Sequence, residues 1–199
     1  MSYLDEYTEA YDEVYTLDNR LMINAYVERV LKIANGDSAL DLGLGHGYTV
    51  SKLQNKFKRY VVLEGSNKII DRFQNKFCDH KFNIIKTYFE EYNTEEKYDN
   101  IIMGFVLEHV DNPSLILNKY KKFLNNNGSI FIAVPNGESL HRRIGYEAGL
   151  LDDMFQLSEN DYKVGHKRVF NLQNLREMIE SQGYRICREE GIFFKNNYY

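Results

Sequence analysis

The chain has 199 residues, of which 43% are hydrophobic and 27% charged, with a formal net charge of -4. That size and balance suit one globular domain with a full core rather than a disordered chain. Net acidity argues against a nucleic-acid partner, and the two cysteines, Cys78 and Cys187, have neither a disulfide-framework pattern nor a metal spacing, so no metal site is expected.

The first residues are acidic and lack the basic-then-apolar order of a signal peptide, and no apolar run approaches the ~20 residues that span a bilayer. The expectation is a cytoplasmic protein without a membrane partner; oligomeric state is not legible. Residues 1–15 read as a tyrosine-rich leader, with Tyr3, Tyr7, Tyr11 and Tyr15 four apart. From Asp18 a helix is expected, because Leu21, Tyr26, Val27, Val30, Leu31 and Ala34 fall near one face, and Asn35-Gly36 ends it.

Residues 39–42 form a short buried strand running into a glycine loop, followed by a helix marked by Val50, Leu53 and Phe57. A second strand at 60–63 ends at Glu64, and Ser66 caps a helix whose Ile69, Ile70, Phe73 and Phe77 face inward. Third and fourth strands are expected at 82–85 and 101–106. Asn112-Pro113 is a cap with proline at the first helical position, and the helix it opens carries Leu117, Tyr120 and Leu124 and closes near Gly128. A fifth strand at 129–134 is stopped by Pro135. Residues 136–170 break this rhythm and read as an irregular substrate lid. A helix follows at 171–182, then an antiparallel edge strand at 184–195. Alternation of strand and helix predicts an α/β, doubly wound, mostly parallel sheet with helices on both faces.

The strongest motif is Asp41-Leu42-Gly43-Leu44-Gly45-His46-Gly47, at the junction of first strand and first helix, where open α/β sheets bind nucleotides. A dinucleotide fingerprint would need glycine where Tyr48 stands, and no Lys-Ser or Lys-Thr follows to make a phosphate loop. The spacing is DxGxGxG. Glu64 closes the second strand, where a carboxylate can accept from ribose hydroxyls.

These features resemble the class I SAM-dependent methyltransferases. The ending Leu107-Glu108-His109-Val110 is similar to that of the branch containing ubiquinone-biosynthesis-type and sugar or natural-product O-methyltransferases. The resemblance implies a Rossmann-like fold, S-adenosyl-L-methionine (SAM) as cofactor and S-adenosyl-L-homocysteine (SAH) as product. It implies that Gly43, Gly45 and Gly47 line the methionine part, that Asp41 orients the loop and that Glu64 holds the ribose. Tyr88 and Phe89 would flank the adenine, and Phe105, within the fourth strand, joins the cofactor set. On this reading 1–36 is an N-terminal helical cap, 37–135 the SAM-binding core, 136–170 the lid and 171–199 a C-terminal helix and strand. The usual fold ends in an antiparallel hairpin, of which this sequence offers one strand.

His109 follows the fourth strand and is the candidate general base, since imidazole takes protons near neutral pH; the competing reading is a histidine that only hydrogen-bonds the loop. Two cationic clusters, His141-Arg142-Arg143 and His166-Lys167-Arg168, lie in the lid of an otherwise acidic chain. Arg142, Arg143, His166 and Arg168, with Tyr11 from the leader, are candidate substrate contacts for an anionic small molecule, phosphorylated, nucleotide-linked or carboxylated. Surface charge is the plainer alternative. The expected reaction is in-line methyl transfer to oxygen, less readily to nitrogen. A non-catalytic SAM-binding scaffold and a protein methyltransferase remain open, while a DNA amino-methyltransferase lacks its NPPY signature at Gly104-Phe105-Val106-Leu107.

Overall fold

A computed structural model describes residues 16–192, with side chains from Arg20 onward. The tyrosines at 3, 7, 11 and 15 lie outside the described residues. The elements in order are α1 (Thr16–Ile33), β1 (Ser38–Leu42), α2 (Tyr48–Leu53), β2 (Arg59–Glu64), α3 (Asn67–Lys76), β3 (Asn83–Lys86) and β4 (Tyr98–Gly104). They continue with α4 (Pro113–Lys121), β5 (Leu124–Ala133), α5 (Leu140–Glu147), α6 (Glu159–Lys163) and α7 (Leu172–Ser181).

The five strands form one sheet in the order β3-β2-β1-β4-β5, and every pair is parallel. β1, at the centre, is buried along its whole length, as a strand covered on both faces must be. Side chains alternate between two apolar layers. Leu40 and Leu42 of β1, with Val61 and Leu63 of β2, pack on the α4 and α7 side beside Ile116, Leu117 and Tyr120. Ala39, Tyr60 and Val62 face α1, α2 and α3, where they meet Tyr26, Val27, Leu53 and Phe73. Asp41 shares this second face by the same alternation.

Local chemistry explains the helix starts. The Ser66 side chain accepts from the Ile69 amide, and the Asn112 side chain accepts from the Leu115 amide with Pro113 next. Asn171 and Asn174 cap α7 reciprocally.

Three expectations need correction. α4 ends at Lys121, and Leu124, expected on its inner face, instead begins β5 opposite Tyr98. Asn125, Asn126 and Asn127 are weak helix formers, and the Tyr98 amide captures the Phe123 carbonyl at 2.8 Å, so extension into the ladder wins. Second, 136–170 is not irregular: it holds α5 and α6, and its neck is closed by an Asn136–Phe170 bridge and a 2.7 Å hydrogen bond from the Gly137 amide to the Phe170 carbonyl. Third, no antiparallel strand exists among the described residues. Residues 184–192 run over the helices instead: the Tyr184 hydroxyl donates to the Leu117 carbonyl (2.8 Å), Arg176 pairs with Glu189 (2.6 Å) and Arg29 with Glu190 (2.8 Å). The charges of Arg185, Arg188, Glu189 and Glu190 leave too little apolar alternation for a sheet strand. Residues 193–195 of the expected strand lie outside the described part. No described helix is long and apolar enough to cross a membrane.

Candidate functional site

The strand order reverses between β1 and β4, and in open α/β sheets the crevice beyond the carboxyl ends of such a pair receives ligands. Two segments border it: residues 43–47 after β1, and residues 105–109 after β4.

In the first, Gly43, Gly45 and Gly47 all have positive φ, at 93°, 49° and 80°. They do different work. A Cβ on Gly47 would stand 2.7 Å from the rings of Phe73 and Phe77, so that glycine lets α3 pack against the loop. A Cβ on Gly45 would meet nothing within 4 Å, so its backbone borders open space that a ligand can approach. Gly47 directly precedes α2.

Glu64, buried at the end of β2, ties the second strand to this loop. One carboxylate oxygen accepts from the Leu44 amide (3.1 Å) and the other from the Ser66 amide (2.9 Å). The Gly43 amide meanwhile donates to the Leu63 carbonyl at 2.8 Å. A carboxylate so fixed beside a glycine loop fits a ribose diol. Phe89 also comes to the loop, its ring 3.9 Å from the Cβ position of Gly43, whereas Tyr88 is half-buried and turns its carbonyl to the Tyr92 amide. SAM, whose parts are a sulfonium amino acid, a ribose and an adenine, fits this series of glycine backbone, Glu64 and Phe89.

Asp41 does not reach the loop as expected. Its side chain points into the core layer between Tyr60 and Tyr26, accepting from the Tyr60 hydroxyl. Burial pushes its carboxyl up to about 7, although the Tyr60 hydroxyl and the Leu42 amide favour the charged form.

Phe105 carries the one positive φ (60°) outside glycine among the described residues. For a bulky side chain this is a strained conformation, of the kind that collects at functional sites. The Phe105 amide donates to the Ala133 carbonyl at 2.8 Å, and its ring meets Tyr26 edge-on at 6.0 Å. The turn then carries Glu108 and His109 under the 136–170 segment. His109 Nδ1 lies 3.3 Å from the Gly165 carbonyl, and the rings of His109 and His166 stand 4.8 Å apart, edge to face. Burial, then the neighbouring His166, hold the His109 imidazole down to about 4, while burial pushes the Glu108 carboxyl up to about 8.

The cationic clusters do not converge on a free anion site. Arg142 donates to the Met154 and Gln156 carbonyls and to Asp161. Arg168 donates to the carbonyls of Leu107, Val110 and Asp111, clamping the turn after β4. His166 Nδ1 is engaged by Asp161 at 2.9 Å, and Arg143 is exposed. Tyr11 lies outside the described residues. Sequence reasoning assigns no role to Glu108 or Asp161. An acid inside the apolar run Val106-Leu107-Glu108-His109-Val110 is the available signal for the first; Asp161 has none.

Among known proteins, a family model described as a methyltransferase domain matches residues 15–189. (S)-Coclaurine N-methyltransferase of Papaver somniferum is 32% identical over 128 residues, 61% of this chain and 36% of that protein. Malonyl-[acyl-carrier protein] O-methyltransferase 2 of Ilyobacter polytropus is 23% identical over 197 residues, 96% of this chain and 71% of that protein. The plantazolicin methyltransferase BpumL, solved in complex with SAH, superposes with a TM-score of 0.64 at 19% identity, covering 89% of this chain and 66% of that one. The chain thus spans little more than a third of the plant relative. With the parallel sheet, the glycine loop at its switch point and the match across residues 15–189, the chain belongs to the methyltransferase-domain family, in its SAM-dependent class.

Proposed function

We propose that this chain transfers a methyl group from SAM to a small molecule, with oxygen the acceptor atom. The observation that carries the reading is the crevice pairing of Gly45, whose backbone faces open space, with the buried Glu64 carboxylate bound to the same loop. When bound there, SAM supplies a methyl group already activated by its sulfonium. The protein's work is then to align an acceptor, keep water out and manage one proton. Gly43, Gly45 and Gly47 would carry the methionine end, Glu64 the ribose, Phe89 with Tyr88 the adenine, and Phe105 the floor beside the reacting centre.

By their names, three curated relatives act on nitrogen and one on oxygen. Support for oxygen comes from Glu108, His109 and His166, grouped beyond β4 where an acceptor hydroxyl would need its proton handled. His109 is a weak base in this setting, because an imidazole held at about 4 is neutral at physiological pH and takes a proton with little driving force. What it offers is a neutral lone pair on Nε2. The anionic acceptor draws its support from the exposed Arg143 alone, since Arg142 and Arg168 are committed to carbonyls. The segment 136–170 would cover the acceptor.

Calorimetric titration with SAM and SAH, with NAD as control and Gly45→Arg as the blocked variant, tests the cofactor. Binding of SAM and SAH that Gly45→Arg abolishes, with no heat from NAD, is expected; folded protein that binds neither overturns the reading. SAH release across a panel of hydroxyl and amine acceptors then decides the acceptor atom, and SAM binding without any release would leave a scaffold in place of an enzyme.

A further inference from the structure

We propose that Glu108, His109 and His166 form a binding site for a divalent transition-metal ion, with zinc as its representative, at the mouth of the crevice. One ligand-capable atom from each of the three lies within 4.8 Å of the others. The sequence spacing hides this, because the first two residues follow β4 and the third comes from the far end of the 136–170 segment.

The second observation is independent of that grouping. The Glu108 side chain is wholly buried, and among the described residues no other residue donates a hydrogen bond to either carboxylate oxygen, its own main-chain amide alone favouring the charge from nearby. Arg168 favours the charged carboxylate by its nearness, but its guanidinium donates to the Leu107, Val110 and Asp111 carbonyls. A buried carboxylate that no neighbouring side chain satisfies is costly unless a cation or proton completes it.

The histidines are also set up as ligands. The Gly165 carbonyl can only accept, so His109 carries its proton on Nδ1 and its lone pair on Nε2. Asp161 imposes the same tautomer on His166, whose Nδ1 is 2.9 Å from Oδ1. Asp161 is itself immobilised, its Oδ2 accepting from the Ser158 amide (2.8 Å), the Ser158 hydroxyl (2.7 Å) and Arg142 (3.4 Å). A carboxylate behind the imidazole is the usual support of a metal-bound histidine, fixing its ring and raising its basicity toward the ion. Two histidines and one carboxylate make the donor set of open zinc sites and of facial 2-His-1-carboxylate sites, which leave positions for water or a substrate oxygen. Metal–ligand bonds of about 2.0–2.2 Å place ligand atoms roughly 3.3 Å apart, so loading would draw the three together by about 1.5 Å through side-chain rotation. Binding of the ion does not depend on SAM; its use on an acceptor hydroxyl, whose proton it would make easier to lose, rests on the methyl-transfer reading.

The test uses the full chain stripped with a chelator and dialysed. Zn2+ and Mn2+ are titrated calorimetrically without SAM, and Co2+ is followed by visible absorption. One equivalent of Zn2+ should bind, at least tenfold more weakly in His166→Ala and in Glu108→Gln, and ten- to a hundredfold more weakly in Asp161→Asn. His141→Ala, an exposed histidine outside the cluster, should bind as wild type does. No binding by folded protein, binding indifferent to His166→Ala, or binding lost in His141→Ala overturns the site. SAM titration of the same stripped proteins reports on the cofactor reading separately, and His166→Gln serves if His166→Ala fails to fold.

Discussion

Replacing Asp41 by asparagine should reverse the sign of its stability effect across the neutral range. The carboxyl titrates at about 7 in the folded chain against an ordinary 3.8, because burial outweighs the hydrogen bonds it receives. Below about pH 3 the group is protonated whether folded or not and costs nothing. As pH rises the unfolded chain releases the proton first, so stability is lost progressively up to about pH 7 and the loss is constant above. The gap in pKa is about three, worth roughly 4 kcal/mol at about 1.4 kcal/mol each, and about 3 kcal/mol of this falls between pH 4.5 and 8. The substituted side chain would still accept from the Tyr60 hydroxyl, but its amide would bring buried donors that cost about 1–3 kcal/mol at every pH. Asp41→Asn should therefore be less stable than wild type at pH 4.5 and equal or more stable at pH 8. Urea denaturation followed by circular dichroism at half-unit pH steps gives the difference directly. Glu108, also raised, to about 8, is present in both proteins and cancels. Parallel stability profiles for the two proteins would refute the reasoning and place an ionised carboxylate in this core.

Gly47→Ala, which brings a methyl 2.7 Å from Phe73 and Phe77 at φ 80°, should cost about 2–4 kcal/mol, read as a lower urea midpoint. Gly45→Ala meets no neighbour and should cost about 1 kcal/mol of strain while weakening SAM binding at least tenfold by calorimetry. Gly104→Ala pushes on the Tyr26 ring at 2.7 Å and should lose about 1–3 kcal/mol in the same denaturation assay. Arg168→Lys cannot reproduce the fork that reaches three carbonyls and should lose about 1–3 kcal/mol, with KM changed alike for charged and uncharged acceptors. A selective rise in KM for anionic acceptors would instead restore Arg168 as a substrate contact.

The elements legible in sequence are those governed by local rules. Ser66, Asn112 and Asn171 cap where their side-chain oxygens can reach an amide three residues on, and the glycine loop stands where a buried strand meets a helix. Leu124 misleads because apolar spacing continues from Leu117 and Tyr120 into a residue whose partner is Tyr98, far back in the chain. Pairing of that kind leaves no periodic trace. The residues 184–192 mislead in the opposite way: weak alternation is present, but Arg176 and Arg29 claim the acids Glu189 and Glu190 and hold the segment on the helices. Glu64 can be placed from its position at a strand end, while Asp41 cannot, because its direction depends on which face of β1 looks toward Tyr60.

The cationic residues of the 136–170 segment show how a substrate signature and an architectural one can coincide. Arginine beside histidine, twice, suggests an anion grip because the guanidinium fork suits two oxygens. The same fork suits main-chain carbonyls, and a segment of this length has many to satisfy. Arg142 binds the Met154 and Gln156 carbonyls between α5 and α6, and with Ser158 it fixes Asp161. Asp161 in turn sets the ring of His166, which is brought against His109. Arg168 works from the other side, holding the turn that carries Glu108 and His109. Both arginines thus hold the segments that bring Glu108, His109 and His166 together. On the proposed methyl-transfer reading, loss of either should therefore blunt turnover of every acceptor together, seen as parallel falls in SAH release for charged and uncharged acceptors.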